Sequence, residues 1–118
     1  MVEKNPQKLD LLFAKNEQSG KEPVREWLKN LPKNEKKIIG EDIMVVQYGW
    51  PIGMPIVRNL GNGLWEVRTS LKNRIARVIF FIHNKKIVLL HGFIKKTQQT
   101  PKDDIELALT RKSSFLTK

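Results

Sequence analysis

RIARVIFFIHNKKIVLLHGFI, the stretch from Arg74 to Ile94, decides the fold class. It consists of two runs of strand length on either side of the turn His83–Lys86, and both runs carry apolar residues at consecutive positions. Strands that are covered on both faces have this pattern, and a short turn joins neighbouring antiparallel strands. The stretch therefore predicts the two central strands of a sheet that is buried on both sides.

The sequence before this stretch supplies the rest of the sheet. Leu64–Ser70 alternates, with Trp65, Val67 and Thr69 on one face and polar residues on the other, which predicts a third strand of an antiparallel meander. Ile56–Leu60 leads into this strand through the turn Gly61-Asn62-Gly63. Near the N-terminus, the apolar run Lys8–Ala14 predicts a further strand.

Helical periodicity lies on either side of the meander. Pro23 suits the first position of a helix, and the apolar stripe after it has helical spacing: Val24, Trp27, Leu28 and Leu31. A second helix is expected from Lys33 to Tyr48, with its buried side formed by Ile39, Ile43 and Val46. The two should form a helical hairpin, followed by a loop at Gly49–Pro55, where prolines and glycines exclude a helix or a central strand.

The last helix has the clearest start signal. Thr100-Pro101-Lys102-Asp103 matches a capping box, with Thr100 as the cap and Pro101 at the first helical position. Together these elements predict one α+β domain over residues 1–118, in which an N-terminal helical hairpin and a C-terminal helix pack on a small, mostly antiparallel sheet.

The charge of the chain is positive and unevenly distributed. The net charge is +10, of which residues 1–59 contribute +2 (10 basic, 8 acidic) and residues 60–118 contribute +8 (12 basic, 4 acidic). Glu66 is the sole acidic residue between Leu60 and Thr100, a segment with eight basic residues. Such a one-sided field favours a polyanionic partner, although a solvated basic surface accounts for the charge about equally well.

Several classes of protein are excluded by what the sequence lacks. It has no cysteine, so disulfides and thiolate zinc sites are excluded. There is no signal peptide and no apolar run long enough to span a bilayer, which predicts a cytoplasmic protein. Phosphate-loop, zinc-protease and nucleophile-elbow motifs are also missing. Carboxylates are too scarce in the basic half for a two-metal nuclease site, so nuclease chemistry here must use cationic side chains, without a metal or cofactor.

Candidate residues follow from the strands. Arg68 shares a strand face with Glu66, for which an ion pair is favoured over a catalytic role. Arg77 adjoins the apolar run of the next strand and is favoured as a functional residue, since few acids are available to pair with it. Arg74 and Arg77 have odd spacing and share a face only if a bulge occurs at Ala76.

Three further candidates lie on and after the last strand. His91 sits within an apolar run, where a histidine is more often a hydrogen-bonded core residue than a base. Lys95 and Lys96 leave the end of that strand, where sites often lie, but solvated lysines are an equal alternative. Trp50 and Trp65 could stack on a base, although a tryptophan in a small domain more often belongs to its core.

Several of these segments resemble one family. Gly63-Leu64-Trp65-Glu66-Val67-Arg68 is similar to the "GLWELR" signature of phage-derived, HigB-like toxins of the RelE/ParE superfamily. Leu89–Thr97 resembles the "LLHGFxKK" signature of that family, Arg74–Phe81 resembles its intervening strand, and Pro101–Glu106 fits its "TPxxEI" helix start. The matches are contiguous and correctly ordered over residues 60–112.

The resemblance implies a RelE-like fold and the function of a type II toxin. It also implies an mRNA endoribonuclease activity, usually expressed on translating ribosomes, which inhibits translation. A HigA-like helix-turn-helix antitoxin that masks the toxin in a toxin–antitoxin complex is implied as the partner. The family roles of basic residues carry over best to Arg68, Arg77, Lys95 and Lys96, with Arg74 and His91 also matching the pattern. Several RelE-type nucleases use a tyrosine near the C-terminus, whereas the single tyrosine here is Tyr48.

Two alternatives remain open at this stage. A ParE-like gyrase inhibitor would have the same fold, so fold alone does not decide between them. A non-enzymatic RNA-binding module would use the same basic surface without cutting RNA.

Overall fold

A computed structural model describes residues 8–95 and 99–117 of the chain, apart from the side chain of Lys95. Three helices and five strands make up the fold and confirm the predicted α+β class. In chain order the elements are β1 (Asp10–Phe13), α1 (Pro23–Lys29), α2 (Lys33–Gly49), β2 (Val57–Gly61), β3 (Leu64–Ser70), β4 (Ile75–His83), β5 (Lys86–Lys95) and α3 (Lys102–Leu116).

The strands form one sheet in the order β1-β5-β4-β3-β2. β2 to β5 pair antiparallel, and β1 pairs parallel with β5, so the sheet is mostly antiparallel as expected. The predicted three-stranded meander gains a fourth strand, because the segment before Gly61-Asn62-Gly63 pairs with β3 as β2. All three turn residues have positive φ, which the two glycines adopt without steric cost.

Each face of the sheet carries its own core. On one face, called the hairpin face, α1 and α2 pack over alternate residues of β3, β4 and β5, with Ile39, Ile43 and Val46 of α2 buried as predicted. On the other, called the α3 face, α3 covers a smaller cluster that includes Leu64, Ile79 and Leu90. Both central strands are therefore covered on two sides, as their apolar sequence indicates.

The tryptophans are core residues rather than exposed stacking platforms. Trp50 and Trp65 are partly buried, pack against the core of the hairpin face, and contact each other edge to face with ring centroids 5.0 Å apart. Trp50 belongs to the loop after α2, and the structure confirms that Trp50–Ile56 contains neither helix nor strand.

The bulge at Ala76 that would bring Arg74 and Arg77 to one face does not form. Residues 75–77 of β4 pair in regular register with β3, and the irregularity between β4 and β5 lies instead at Ile79/Phe80, where Leu90 is the extra residue. Regular pairing keeps Ala76 buried against the hairpin face together with Val78 and Phe80. A bulge at Ala76 would remove that side chain from the core.

The predicted capping box is also wrong. α3 begins at Lys102, Pro101 occupies the cap position, and no side chain caps the helix. The Thr100 hydroxyl donates its hydrogen bond to the carboxylate of Glu66 instead, over 2.5 Å. A charged acceptor makes the stronger hydrogen bond, which explains the exchange.

Gly92 permits the closest approach between α1 and the sheet. A Cβ atom at this position would lie 2.3 Å from Cε3 of Trp27, a separation that real Cβ atoms do not tolerate. We expect Gly92→Ala to lower the free energy of unfolding by about 1–3 kcal/mol through overpacking, measured by urea denaturation.

Gly40 provides the matched control for Gly92. It lies in the middle of α2 with open space around its Cα, so Gly40→Ala should raise stability by roughly 0.5–1 kcal/mol. A Gly92→Ala variant as stable as the wild type would show that Trp27 does not rest on β5.

Candidate functional site

Three arginines from adjacent strands meet on the α3 face. Arg58 of β2 is paired with Glu66 of β3, and Arg68 of β3 is paired with Arg77 of β4. Because side chains alternate along a strand, Glu66 and Arg68 share the face of Leu64, and Arg77 shares the face of Ile79. We call Arg58, Arg68 and Arg77 the arginine cluster.

Arg77 and the neighbouring carboxylate of Glu66 are both fully buried. Thr100, just before α3, joins them: its hydroxyl donates to Oε2 of Glu66 and accepts a long hydrogen bond, 3.5 Å, from Nη1 of Arg77. The other carboxylate oxygen of Glu66 is buried and accepts no hydrogen bond from the part of the chain that the structure describes. The favoured prediction for Glu66, a structural partner within the sheet, is therefore extended by Thr100, which comes from outside the sheet.

The electrostatics of the cluster favour an anion. Burial lowers the pKa of Arg77 from its ordinary value, Glu66 opposes this shift, and Arg68 and Arg58 add to it. A guanidinium nevertheless stays protonated in a protein. Among the residues that the structure describes at the cluster, three positive charges therefore face the negative charge of Glu66, and an anion such as a phosphate would relieve the repulsion among the arginines.

The members of the cluster differ in access. Arg58 and Arg68 are partly buried, whereas Arg77 is fully buried. A phosphate arriving from solvent reaches Arg58 and Arg68 first, and Arg77 supplies charge from behind them.

Arg74 is not brought into the cluster. It lies in the turn before β4, and its Nη2 contacts Oε1 of Glu35, on α2, at 2.5 Å. This ion pair joins the turn to the helices on the hairpin face. It gives Arg74 a role in stabilising the fold rather than in binding a phosphate at the cluster.

His91 lies on the α3 face, beside the cluster, but both of its ring nitrogens have partners. Nε2 contacts Oδ1 of Asp104 at 2.6 Å, and Nδ1 lies 3.4 Å from Nη1 of Arg111, which also donates to the carbonyl of Leu90. Since arginine can only donate, Nδ1 is the acceptor and Nε2 carries the proton that Asp104 accepts. This network ties α3 to β5, the hydrogen-bonded role that the sequence favours for His91.

The comparison with protein families is reported against this geometry. The model of the phage-derived protein Gp49-like family (DUF891) matches residues 26–113, a span that contains the arginine cluster, Thr100 and His91. The chain belongs to the Gp49-like family. This is a RelE-like, toxin-related family. No curated protein matches the chain.

Two of the predicted site residues of this Gp49-like protein are not tested by the structure. Lys95 ends β5, where its backbone pairs with Ile75, but its side chain lies outside the described residues. Lys96 lies outside them altogether. Their predicted functional roles stay predictions.

Arg58 is the site residue that the sequence analysis missed. Its strand is only five residues long and follows a proline-rich loop. The alternation of apolar and polar residues that indicates a strand is therefore hard to see. A signal was present nonetheless: pairing this segment with β3 across Gly61-Asn62-Gly63 places Arg58 opposite Glu66. The resemblance to the family's "GLWELR" signature begins after this position and therefore gave no indication of it.

Within the described ranges, 8–95 and 99–117, no group of three histidine, cysteine or acidic side chains could hold a metal ion. The same ranges contain no helix that is long and apolar enough to cross a membrane.

The pKa of His91 predicts how the stability of the Gp49-like domain varies with pH. Burial lowers this pKa, Asp104 opposes the shift through its hydrogen bond and charge, and Arg111 adds to it. Near and below about pH 6.5, His91 is protonated to a smaller extent in the folded chain than in the unfolded chain. Stability should therefore fall as pH decreases below this value, by up to about 1.4 kcal/mol per pH unit.

Urea denaturation between pH 5 and pH 7.5 measures this dependence. His91→Asn should flatten it, whereas His83→Asn, which removes the other histidine, should leave it in place. Equal slopes for wild type and His91→Asn would contradict the assignment.

Proposed function

We propose that this Gp49-like protein is the toxin of a type II toxin–antitoxin system, close to the HigB-like branch, and that it cleaves mRNA without a metal ion. One observation carries the proposal: Arg68 and Arg77 are directly paired on adjacent strands, and Arg58 lies beside them on the next strand. Guanidinium groups bind phosphate oxygens through two parallel hydrogen bonds, so this arrangement suits an RNA backbone.

The proposed reaction uses the nucleophile that RNA itself supplies. The 2′-oxygen next to the scissile phosphate forms a bond to phosphorus in line with the leaving 5′-oxygen, whose bond to phosphorus breaks. The 2′-hydroxyl proton passes to a general base, and a general acid protonates the leaving oxygen. The products are a 2′,3′-cyclic phosphate and a 5′-hydroxyl end, so hydrolytic water is not needed in this step.

Each part of the cluster has a distinct part in this reaction. Arg68 and Arg58 hold the non-bridging phosphate oxygens, where negative charge grows in the transition state. Arg77, held beneath them through Thr100 and Glu66, contributes positive charge and fixes the cluster. Arg77 makes no direct contact with the phosphate in this proposal, because its side chain is fully buried.

The general base and acid are proposed to be Lys95 and Lys96, because they end β5 and follow it at the positions where the family resemblance places basic residues, and an amine can move protons in catalysis. His91 is the second candidate, but it must first release Asp104 or Arg111 to move a proton. Tyr48 is not a candidate: it lies half-exposed on α2, and α2 packs on the hairpin face.

The expected partners follow from the same proposal. The positive field of residues 60–118 suits mRNA and the ribosome. A toxin of this kind is controlled by an antitoxin, for which a HigA-like helix-turn-helix protein is proposed. Coexpression with the product of a neighbouring reading frame and isolation of a stable complex would test this partner.

A single 2′-deoxy substitution tests the chemistry independently of Mg²⁺, which ribosomes themselves require. Purified chain is incubated with ribosome-bound mRNA, the cut site is mapped, and the mRNA is remade with a 2′-deoxynucleotide at that site. We expect cleavage to stop there and the normal products to carry 5′-hydroxyl ends. Cleavage that persists in the deoxy substrate, or that leaves 5′-phosphate ends, would refute the mechanism.

The same material separates the two alternative functions. Inhibition of gyrase supercoiling without RNA cleavage would favour a ParE-like inhibitor. RNA binding without cleavage, on ribosomes or on free RNA, would favour a binding module.

A further inference from the structure

A groove at the edge of the sheet adjoins the arginine cluster. It lies between β2, the outermost strand, and the N-terminal end of α3, and has a volume of about 650 Å³. We call it the edge groove. Its lining residues are Arg58, Asn59, Leu60, Gln99, Thr100, Pro101, Lys102 and Ile105.

We infer that the edge groove binds one unstacked RNA base next to the scissile phosphate and thereby sets the base preference of cleavage. The inference rests on the proposed function and extends it from the phosphate to a neighbouring base.

The lining of the groove fits a nucleobase. Leu60, Pro101 and Ile105 provide an apolar floor for the flat face of a base. Gln99 and Lys102 are exposed at the rim, where an amide and an ammonium group can bond the polar edge of the base. The volume lies within the range of about 300–1,000 Å³ that is typical of ligand pockets.

The groove and the cluster share residues. Arg58 belongs to both, and Thr100 lines the groove while bonding Glu66 and Arg77. A nucleotide whose phosphate lies on Arg58 and Arg68 therefore has its base at the mouth of the groove. This continuity distinguishes the edge groove from another groove, of about 380 Å³, which lies between α3 and the segment after β1.

Binding in the groove requires an unpaired base. The polar edge that bonds Gln99 and Lys102 is the edge that a complementary strand would use, so a base cannot occupy the groove and stay paired. Lys102 can only donate hydrogen bonds, which favours bases that present an acceptor on that edge, as guanine does with O6. We therefore expect cleavage in single-stranded segments, with guanine preferred at one position beside the cut.

Binding of single nucleotides tests the groove without any cleavage. Backbone NMR spectra of the full chain are recorded with each of the four nucleoside 5′-monophosphates and with ribose 5-phosphate. We expect GMP to shift the signals of Leu60 and Ile105, and ribose 5-phosphate to shift only those of the arginine cluster. If GMP and ribose 5-phosphate perturb the same residues, the base does not enter the groove.

Cleavage mapping tests the consequence for specificity. Gln99→Ala and Lys102→Ala each remove one exposed rim group, so the fold should survive. Discrimination between guanine and the other bases beside the cut should fall roughly tenfold in each, the scale of one good base contact. Lys36→Ala, which removes a charge from exposed α2, is the matched control and should leave the preference unchanged.

The outcomes separate this inference from the proposed function. Cleavage with an unaltered base preference in both rim variants overturns the inference and leaves the nuclease standing. GMP binding in the groove by a chain that cuts no RNA supports the base site and overturns the nuclease. Displacement of GMP by the antitoxin alone, with no base preference in cleavage, would make the groove a protein-binding surface and also overturn the inference.

Discussion

Arg68→Ala should lower the rate of RNA cleavage by about 10²–10³, the usual effect of removing one preorganised donor from a developing charge. Arg68 is partly accessible and paired with Arg77, so in the proposed mechanism it contacts the phosphate directly, and its removal leaves the rest of the cluster in place. The rate is measured on ribosome-bound mRNA at saturating and at limiting substrate. The loss should appear mainly in kcat, because charge accumulates on the phosphate oxygens in the transition state.

Arg25→Ala is the control for this experiment. It removes the same side chain from the opposite layer, where Arg25 is 60% exposed on α1 and pairs with Glu22. Exposed ion pairs of this kind contribute about 0–1 kcal/mol, so fold and cleavage should both persist. Equal cleavage by Arg68→Ala and Arg25→Ala would remove Arg68 from the site.

Glu66→Leu should lower the free energy of unfolding by about 3–5 kcal/mol, the range for leaving a buried charge without its compensating partner. Glu66 is fully buried beside Arg77, whose charge it offsets, and it also accepts the hydrogen bond of Thr100. Urea denaturation measures the loss at pH 7.5, above the pH range in which protonation of His91 changes the stability.

A double variant separates lost charge balance from poor packing. Glu66→Leu combined with Arg77→Met replaces both buried ions with apolar side chains of similar volume, an exchange that is often neutral or stabilising. We expect the double variant to be more stable than Glu66→Leu alone. A double variant that is less stable than Glu66→Leu would show that Arg77 is held by its other neighbours rather than by Glu66.

The fold was predictable where local patterns coincide with tertiary packing. The apolar runs of β4 and β5 need two covering layers, and the stripe of Ile39, Ile43 and Val46 supplies one of them. β2 was harder to foresee, because a five-residue edge strand carries little periodicity and depends on its partner for definition. The prediction of the α3 cap failed for a related reason. Glu66, a carboxylate distant in the sequence, competes with the local backbone for the Thr100 hydroxyl.

The residue types of the site were predictable from the sequence, but the burial of their side chains was not. The alternation of β3 places Arg68 on the face of Glu66, and the structure brings Arg77 opposite Arg68. Nothing local in the sequence distinguishes a surface arginine from one that is buried under Thr100, since burial is set by a segment 23 residues away. Arg74 shows the same limit, because its partner Glu35 lies 39 residues earlier in the chain.

The irregular pairing at Leu90 divides β5 into two segments. In each segment the alternation of side chains between the two faces of the sheet starts anew. Before Leu90, even-numbered residues such as Val88 point to the α3 face, whereas after it odd-numbered ones, His91 and Phe93, do so. If the pairing of Ile87–Leu89 with β4 shifted by one residue, the bulge at Leu90 could take up the shift. The side chains after Leu90 would then keep their faces. The bulge thus separates the alignment of His91 and Phe93 on the α3 face from the alignment of the strand in the centre of the sheet.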